Sequence, residues 1–302
     1  MLTIRAITFV ISLFLFQIGF SQYTDDINSN RPGESQGAFS VGKNVIQVET
    51  GIYGLREKHV LTMNQSLGLG VDLNLRYGFL FEQLELNLET QFQGESFKSV
   101  LGTSPRSGFK QVTLGAKYLV YDPFKNRVEK RNVYSWDAQH KFKWRQFIPS
   151  VAIYGGANFN FNNPFTFKTE PSISPKVALI AQNQFTGGYA LVTNIIADKL
   201  GTEFPSYIYI LTLTKGFNEN WSAFFENQGI KSDFYSDSIL RGGATYKLQK
   251  NIQIDASIST GLKTTPYLLY GGVGLSWRTD QFYKPSKPKE KKAKKGKKPK
   301  RA

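Results

Sequence analysis

The sequence of 302 residues contains no cysteine. That excludes disulfides, thiolate metal sites and cysteine nucleophiles, and it suits a chain that crosses an oxidising compartment. Histidine is almost as scarce, at two residues, His59 and His140. There is no Gly-x-Ser-x-Gly elbow and no cluster with metal-ligand spacing. Neither a metal nor another cofactor is therefore expected. Long hydrophobic runs are also missing. The apolar stretch of residues 6–16 falls short of the roughly 20 residues that a spanning helix needs. No repeat of fixed period suggests a propeller or solenoid, and no helical pattern of any length separates the apolar segments. Hydrophobic residues make up only 40%, yet aromatics reach 14%. Few apolar residues with many Tyr and Phe are unusual for a soluble core, but expected where the interior is polar and the rims are aromatic.

Residues 1–21 read as a secretory signal peptide. Arg5 supplies the positive charge, residues 6–16 the apolar core, and Gly19 and Ser21 the small residues before a cut at Gln22. At the other end, residues 284–301 hold eleven Lys or Arg against Glu290 alone. This tail supplies +10 of the net charge of +15. The basic character therefore belongs to residues 280–302, read as a disordered tail, and not to the folded body. The tail has no aromatic to stack bases, so nucleic acid is not an expected partner. Weak contact with lipid phosphates or the cell wall is.

What the chain has instead is alternation. Ile252, Ile254, Ala256 and Ile258 alternate with Gln253, Asp255, Ser257 and Ser259, which places the two sets on opposite faces of one strand. The pattern recurs in residues 45–54, 71–79, 84–92, 112–120, 147–159, 176–185, 189–197, 206–215, 221–229, 239–248 and 267–278. Thr186-Gly187-Gly188 reads as a hairpin turn, Arg56-Glu57-Lys58 as a turn and residues 94–108 as a loop. Residues 122–145 and 160–175 read as long loops, and turns are expected to alternate between short and long. Residues 22–43 form a polar leader and residues 44–279 the folded unit. The expectation is about twelve antiparallel strands of roughly ten residues.

Two architectures show such strands: a secreted β-sandwich, and a transmembrane barrel with lipid outside and a wet lumen. Charges at mid-strand suit either. Aromatics near strand ends (Tyr77, Phe79, Phe92, Tyr118, Phe147, Phe159, Tyr207, Trp221, Tyr267, Trp277) favour the barrel, because interfacial belts require them. So does strand length, which exceeds that of most sandwich strands and matches a tilted membrane crossing. The last strand ends on Trp277, like the C-terminal insertion signals of outer-membrane barrels, so the barrel-assembly machinery is an expected partner. The reading is an all-β, antiparallel transmembrane barrel in the outer membrane.

The residues also resemble a family. Asn30-Arg31-Pro32, Gln36, Val41 and Gln47-Val48-Glu49-Thr50-Gly51 are similar to the opening of an outer-membrane family named for the meta-pathway of phenol degradation. Asn30 stands where that family has Asp. Residues 75–78 with 84–86 resemble its first hairpin, 112–118 its next strand and 242–274 its end. The resemblance spans about residues 25–278. It implies an outer-membrane barrel with a transport role and no particular substrate.

Glu49, Asp72, Arg76, Glu85, Glu89, Lys117, Glu226, Arg241, Lys247 and Asp255 are the expected lumen-lining charges. They make either a constriction that orients a polar solute or a self-satisfied network of buried ion pairs that conducts nothing. Asp72 and Asp255 read as isolated acids. Arg31 is the candidate anchor of a leader tucked into the mouth, since its fork suits carboxylates. Some twelve-stranded outer-membrane barrels are lipases with an exposed Ser and His. His59 beside a turn and His140 in a charged loop read as surface residues, and no enzyme is expected. The expected function is passive passage of small, hydrophobic or aromatic solutes across the outer membrane, with lipid outside. The alternative is a non-conducting structural or adhesive barrel that acts through its long loops.

Overall fold

The computed structural model describes residues 26–123, 144–161, 163–166 and 169–279. The expected signal peptide, the Lys-rich tail, and most of the 122–145 loop with His140 lie outside these residues.

Twelve strands close into one barrel: β1 (Ile46–His59), β2 (Asn64–Gly78), β3 (Leu84–Ser99), β4 (Gly102–Tyr121), β5 (Ser150–Phe159), β6 (Ile173–Phe185), β7 (Tyr189–Asp198), β8 (Ser206–Gly216), β9 (Trp221–Ser232), β10 (Ser236–Gln249), β11 (Ile252–Gly261) and β12 (Tyr267–Thr279). Each pairs antiparallel with its neighbours in sequence, and β1 closes on β12 from Ile46↔Thr279 to Lys58↔Tyr267. Closure leaves no edge strand, so every strand has partners on both sides. Between β6 and β7 the hairpin turns at Gly187 and Gly188, whose φ of 80° and 77° lie in the left-handed region that favours glycine.

Register carries the sequence alternation around the wall. On β11 the exposed Ile254 and Ile258 point outward, while Asp255 and Ser259 are buried inside. On β1 the outward Ile46 and Ile52 alternate with the buried Gln47, Glu49 and Gly51. The outer face is an apolar band, the inner face is largely polar, and apolar side chains exposed around the whole circumference require lipid. Aromatics flank that band. Tyr77, Phe79, Phe81, Tyr121, Phe147, Tyr189, Phe217, Trp221 and Trp277 are exposed near the rim where the chain enters and leaves the barrel. Phe161, Tyr207, Phe234 and Tyr267 are exposed near the far rim. The Trp221 and Tyr246 rings pack at a tilt, with centres 4.7 Å apart. Val273, outward on β12 and 60% exposed, lies within this band. Val273→Lys is expected to cost about 2–4 kcal/mol, read as a lower urea midpoint in lipid vesicles; an unchanged midpoint would argue against lipid contact there.

Three expectations need correction. Residues 56–58 continue β1, and the turn comes at residues 60–63. Residues 94–108 are not a loop: β3 and β4 run through them and reverse at Val100–Leu101. This part of the hairpin rises beyond the pairing of β4 with β5, which begins at Thr113↔Asn158. Both its faces are polar, so no apolar stripe marked it, and it leaves Phe92 in mid-strand instead of at an end. Finally, short and long connections do not alternate. The segment between β4 and β5 leaves and rejoins the barrel at the terminal rim, and the one between β5 and β6 does so at the far rim.

Candidate functional site: the leader inside the lumen

The leader, residues 26–43, does not hang from the barrel. It enters the lumen at the terminal rim, crosses it and returns to start β1. Asp26 pairs with Lys247 at 2.6 Å, and the Ile27 amide donates to the Lys250 carbonyl. The Asn28 carbonyl accepts from Gln47 and Arg76, at 3.0 and 2.8 Å. The amides of Glu34 and Ser35 donate to Glu226. Gln36 exchanges two backbone hydrogen bonds with the Asn194 side chain, at 2.7 and 3.0 Å, and its side-chain Nε2 donates to Glu89. The Ala38 amide reaches Gln182, the Val41 amide reaches Glu85, and Lys117 donates to the carbonyls of Gly37 and Phe39. A polar leader without secondary structure must find partners for its backbone once it is out of water. The inward polar side chains of the wall supply them. A small apolar cluster completes the seat, with Ala38 and Phe39 against Leu119, Ala152, Tyr154 and Ile180.

Beneath the leader lies a buried ion network. Arg76 reaches Glu49 at 2.9 Å and grips both oxygens of Glu85, at 2.9 and 3.0 Å. Lys117 stands 3.2 Å from Glu85, and all four side chains are inaccessible to solvent. Such charges are tolerated only when paired and hydrogen-bonded.

At mid-height sits Arg31. Its Nε and Nη2 donate to the two oxygens of Asp255, at 3.3 and 3.1 Å, and its Nη1 donates to Asp72. Asp72 and Asp255 are therefore not isolated, as they seemed; the leader joins them across β1 and β12. The guanidinium has room because its wall is glycine. A Cβ built on Gly51 would lie 2.2 Å from Arg31 Nη2, and one on Gly274 would lie 2.3 Å from Nε and Nη2. Gly51 and Gly274 are paired in register, as are Gly51 with Asp72 and Gly274 with Asp255. Four adjacent strands thus form one slot: an acid, two glycines and an acid.

All ten sequence-selected charges are ion-paired. Besides those above, Glu89 pairs with Lys176 at 3.2 Å, Glu226 with Arg241, and Arg241 with Glu34. Several partners were not selected from sequence. Lys176 and Asn194 sit on the inward face of recognised strands and were legible by parity. Arg106 and Glu95, which pair near the far rim, lie in the hairpin whose two polar faces give no strand signal. His59 ends β1, and its Nδ1 accepts from the Thr62 amide in the following turn at 3.3 Å.

Above the leader, toward the far rim, a cavity of about 580 Å³ opens with residues 30–34 and Gln36 as its floor. One wall is rich in apolar side chains, Ile196, Ile208, Ile210, Ile230, Ile239 and Leu268, with Gln228, Arg241, Ser257 and Ser259 among them. The other carries Tyr53, Glu57, Gln91, Lys110, Gln111 and Lys176. Tyr270, on the same cavity, donates to Glu57.

A sequence model of the family described as "Putative MetA-pathway of phenol degradation" matches residues 29–279. The chain belongs to that family. The matched span takes in the leader from Ser29 as well as the barrel, and the resemblance read from residues 30–51 is borne out. No curated protein matches the sequence. Among solved structures, an outer membrane channel from Pseudomonas putida F1 is similar over 84% of this chain and 100% of its own, at 11% identity and a TM-score of 0.50. The translocator domain of the autotransporter NalP from Neisseria meningitidis is similar over 79% and 89%, at 10% identity and a TM-score of 0.48. The CymD monoaromatic hydrocarbon channel is similar over 78% and 88%, at 10% identity and 0.42. At 11% identity the likeness to the Pseudomonas channel is one of fold, and the fold is that of an outer-membrane β-barrel.

Proposed function

We propose that this family member is a passive, non-enzymatic outer-membrane channel for small solutes with an apolar body, closed at rest by its own leader. One observation carries the reading: the cavity with its isoleucine wall ends on a plug held mainly by polar contacts. An apolar wall inside a water-filled barrel runs against the usual polar lining. Its size suits a small ligand that lays a hydrophobic face on one side and hydrogen-bonds to the other. Polar contacts can be exchanged for water when the leader leaves, so the plug is removable without dissolving a core.

The terminal rim then faces the periplasm, where residues 280–302 would meet lipid phosphates or cell wall, and the barrel-assembly machinery would have inserted the closing strand. The adhesive alternative is disfavoured because the strand ends that the two long segments join open onto opposite rims.

Apolar solutes cross plain lipid unaided, so the test belongs in cells with an intact outer membrane. Cells carrying the barrel without residues 26–43 are expected to take up N-phenyl-1-naphthylamine faster than cells with the full chain. Adding Ile208→Asn and Ile230→Asn is expected to slow that uptake while leaving entry of a polar sugar unchanged. Equal slowing of both solutes would remove the apolar selectivity from the proposal.

A further inference from the structure

We infer that the Arg31 slot is a recognition site for an organic cation, a guanidinium or amidinium on an apolar body, and that Arg31 is its built-in occupant. The inference deepens the channel reading and rests on it for the route by which the solute arrives.

Four features converge. Asp255 presents both oxygens as a fork, and its side chain is fully buried, which is the geometry that a planar guanidinium satisfies and a point-charge ammonium does not. Asp72 closes the opposite side. Gly51 and Gly274 leave a recess between the acids that no Cβ could share with the guanidinium. Arg31 and Asp72 also line the cavity, so the slot is reached from it once Arg31 withdraws. A solute that rests its apolar body on Ile208 and Ile230 and extends a cation downward meets the same carboxylates as Arg31.

The consequence is competition. Arg31 and the solute cation cannot share the recess, so occupancy by solute removes the guanidinium anchor that ties the leader to Asp72 and Asp255. The solute thereby opens its own path, because it binds the released state and not the plugged one. An anion of the same size gains nothing from two acids. A neutral solute gains only the apolar wall.

The test uses the full-length Arg31→Ala barrel in detergent, with its fold checked by the shift in gel mobility on boiling. Phenylguanidine is titrated calorimetrically, with benzyl alcohol and benzoate as neutral and anionic controls. Phenylguanidine is expected to bind, benzoate not to bind, and benzyl alcohol to bind more weakly. Adding either Asp255→Asn or Asp72→Asn is expected to weaken phenylguanidine binding on the order of tenfold or more; the two variants guard against a failure of either to fold. In planar bilayers, phenylguanidine is expected to raise the current of the unmodified chain. Phenylguanidine binding no tighter than benzyl alcohol, or binding indifferent to both acids, overturns the inference. A barrel that binds phenylguanidine as expected but never conducts, even without residues 26–43, overturns the channel reading and leaves the slot standing.

Discussion

Arg31→Ala is expected to turn a silent barrel into one that conducts in bursts. The leader keeps its contacts at Asn28, Gln36, Ala38 and Val41, but loses its grip on Asp255 and Asp72 at mid-height. Hydrogen bonds to charged groups contribute about 1.5–3 kcal/mol each. The closed state also keeps two acids that have lost their cation, whereas the released state lets water reach them. A loss of about 2–3 kcal/mol from the closed state would raise the open population roughly 30- to 160-fold. Gly51→Ala should act in the same direction by another route. Its Cβ would collide with the tip of Arg31, a flexible side chain that can retreat, so the strain falls on the anchor and not on the barrel wall. Single-channel recording checks both. Openings in neither variant would show that Arg31 does not hold the plug.

Arg76→Ala is expected to have the largest effect on stability. Its guanidinium holds Glu49, both oxygens of Glu85 and the Asn28 carbonyl, and neither acid is accessible to solvent. Removing it leaves Lys117 to face Glu85 and Glu49 alone in the base of the plug. Breaking a buried pair from one side costs about 3–5 kcal/mol, and the leader loses its hold at Asn28 as well. The expected readout is a large drop in the urea midpoint and in the temperature at which the compact gel form is lost. Arg76→Lys should fall between, since it restores the charge without the fork. A midpoint within error of the unmodified chain would mean that the network is hydrated.

The barrel was legible in residues such as 252–259 because lipid on one side and water on the other force every second residue apart in polarity. The legibility stopped where that contrast stopped. The hairpin at residues 94–108 rises beyond the band of lipid contact, both its faces are polar, and it read as a loop. The charges of the lumen were legible individually, by parity within their strands, but not the choice between a hydrated constriction and a self-satisfied network. That choice depends on the leader, which meets Asn194 across 158 residues and Glu226 across 192. Arg31 is legible as a fork suited to luminal carboxylates, yet the acids it meets and the recess that admits it depend on Gly51 and Gly274, which are brought together only by closure of β1 on β12. No local pattern marks a glycine as the wall of a slot.

The apolar wall of the cavity was hidden for a related reason. Ile208 and Ile210 point inward, while Tyr207, Tyr209 and Leu211 point to lipid. With apolar residues on both faces, the strand loses the contrast that distinguishes inside from outside. Such a strand in a polar-lined barrel is a signal in its own right, since it marks where the lumen has exchanged water for something greasier.

The most direct measurement compares the full chain with a chain lacking residues 26–43 in planar lipid bilayers, after both show the gel-mobility shift of a folded barrel. The full chain should pass almost no current, and the shortened chain a steady one. Equal currents from the two, whether both open or both silent, would contradict a lumen closed by its own leader.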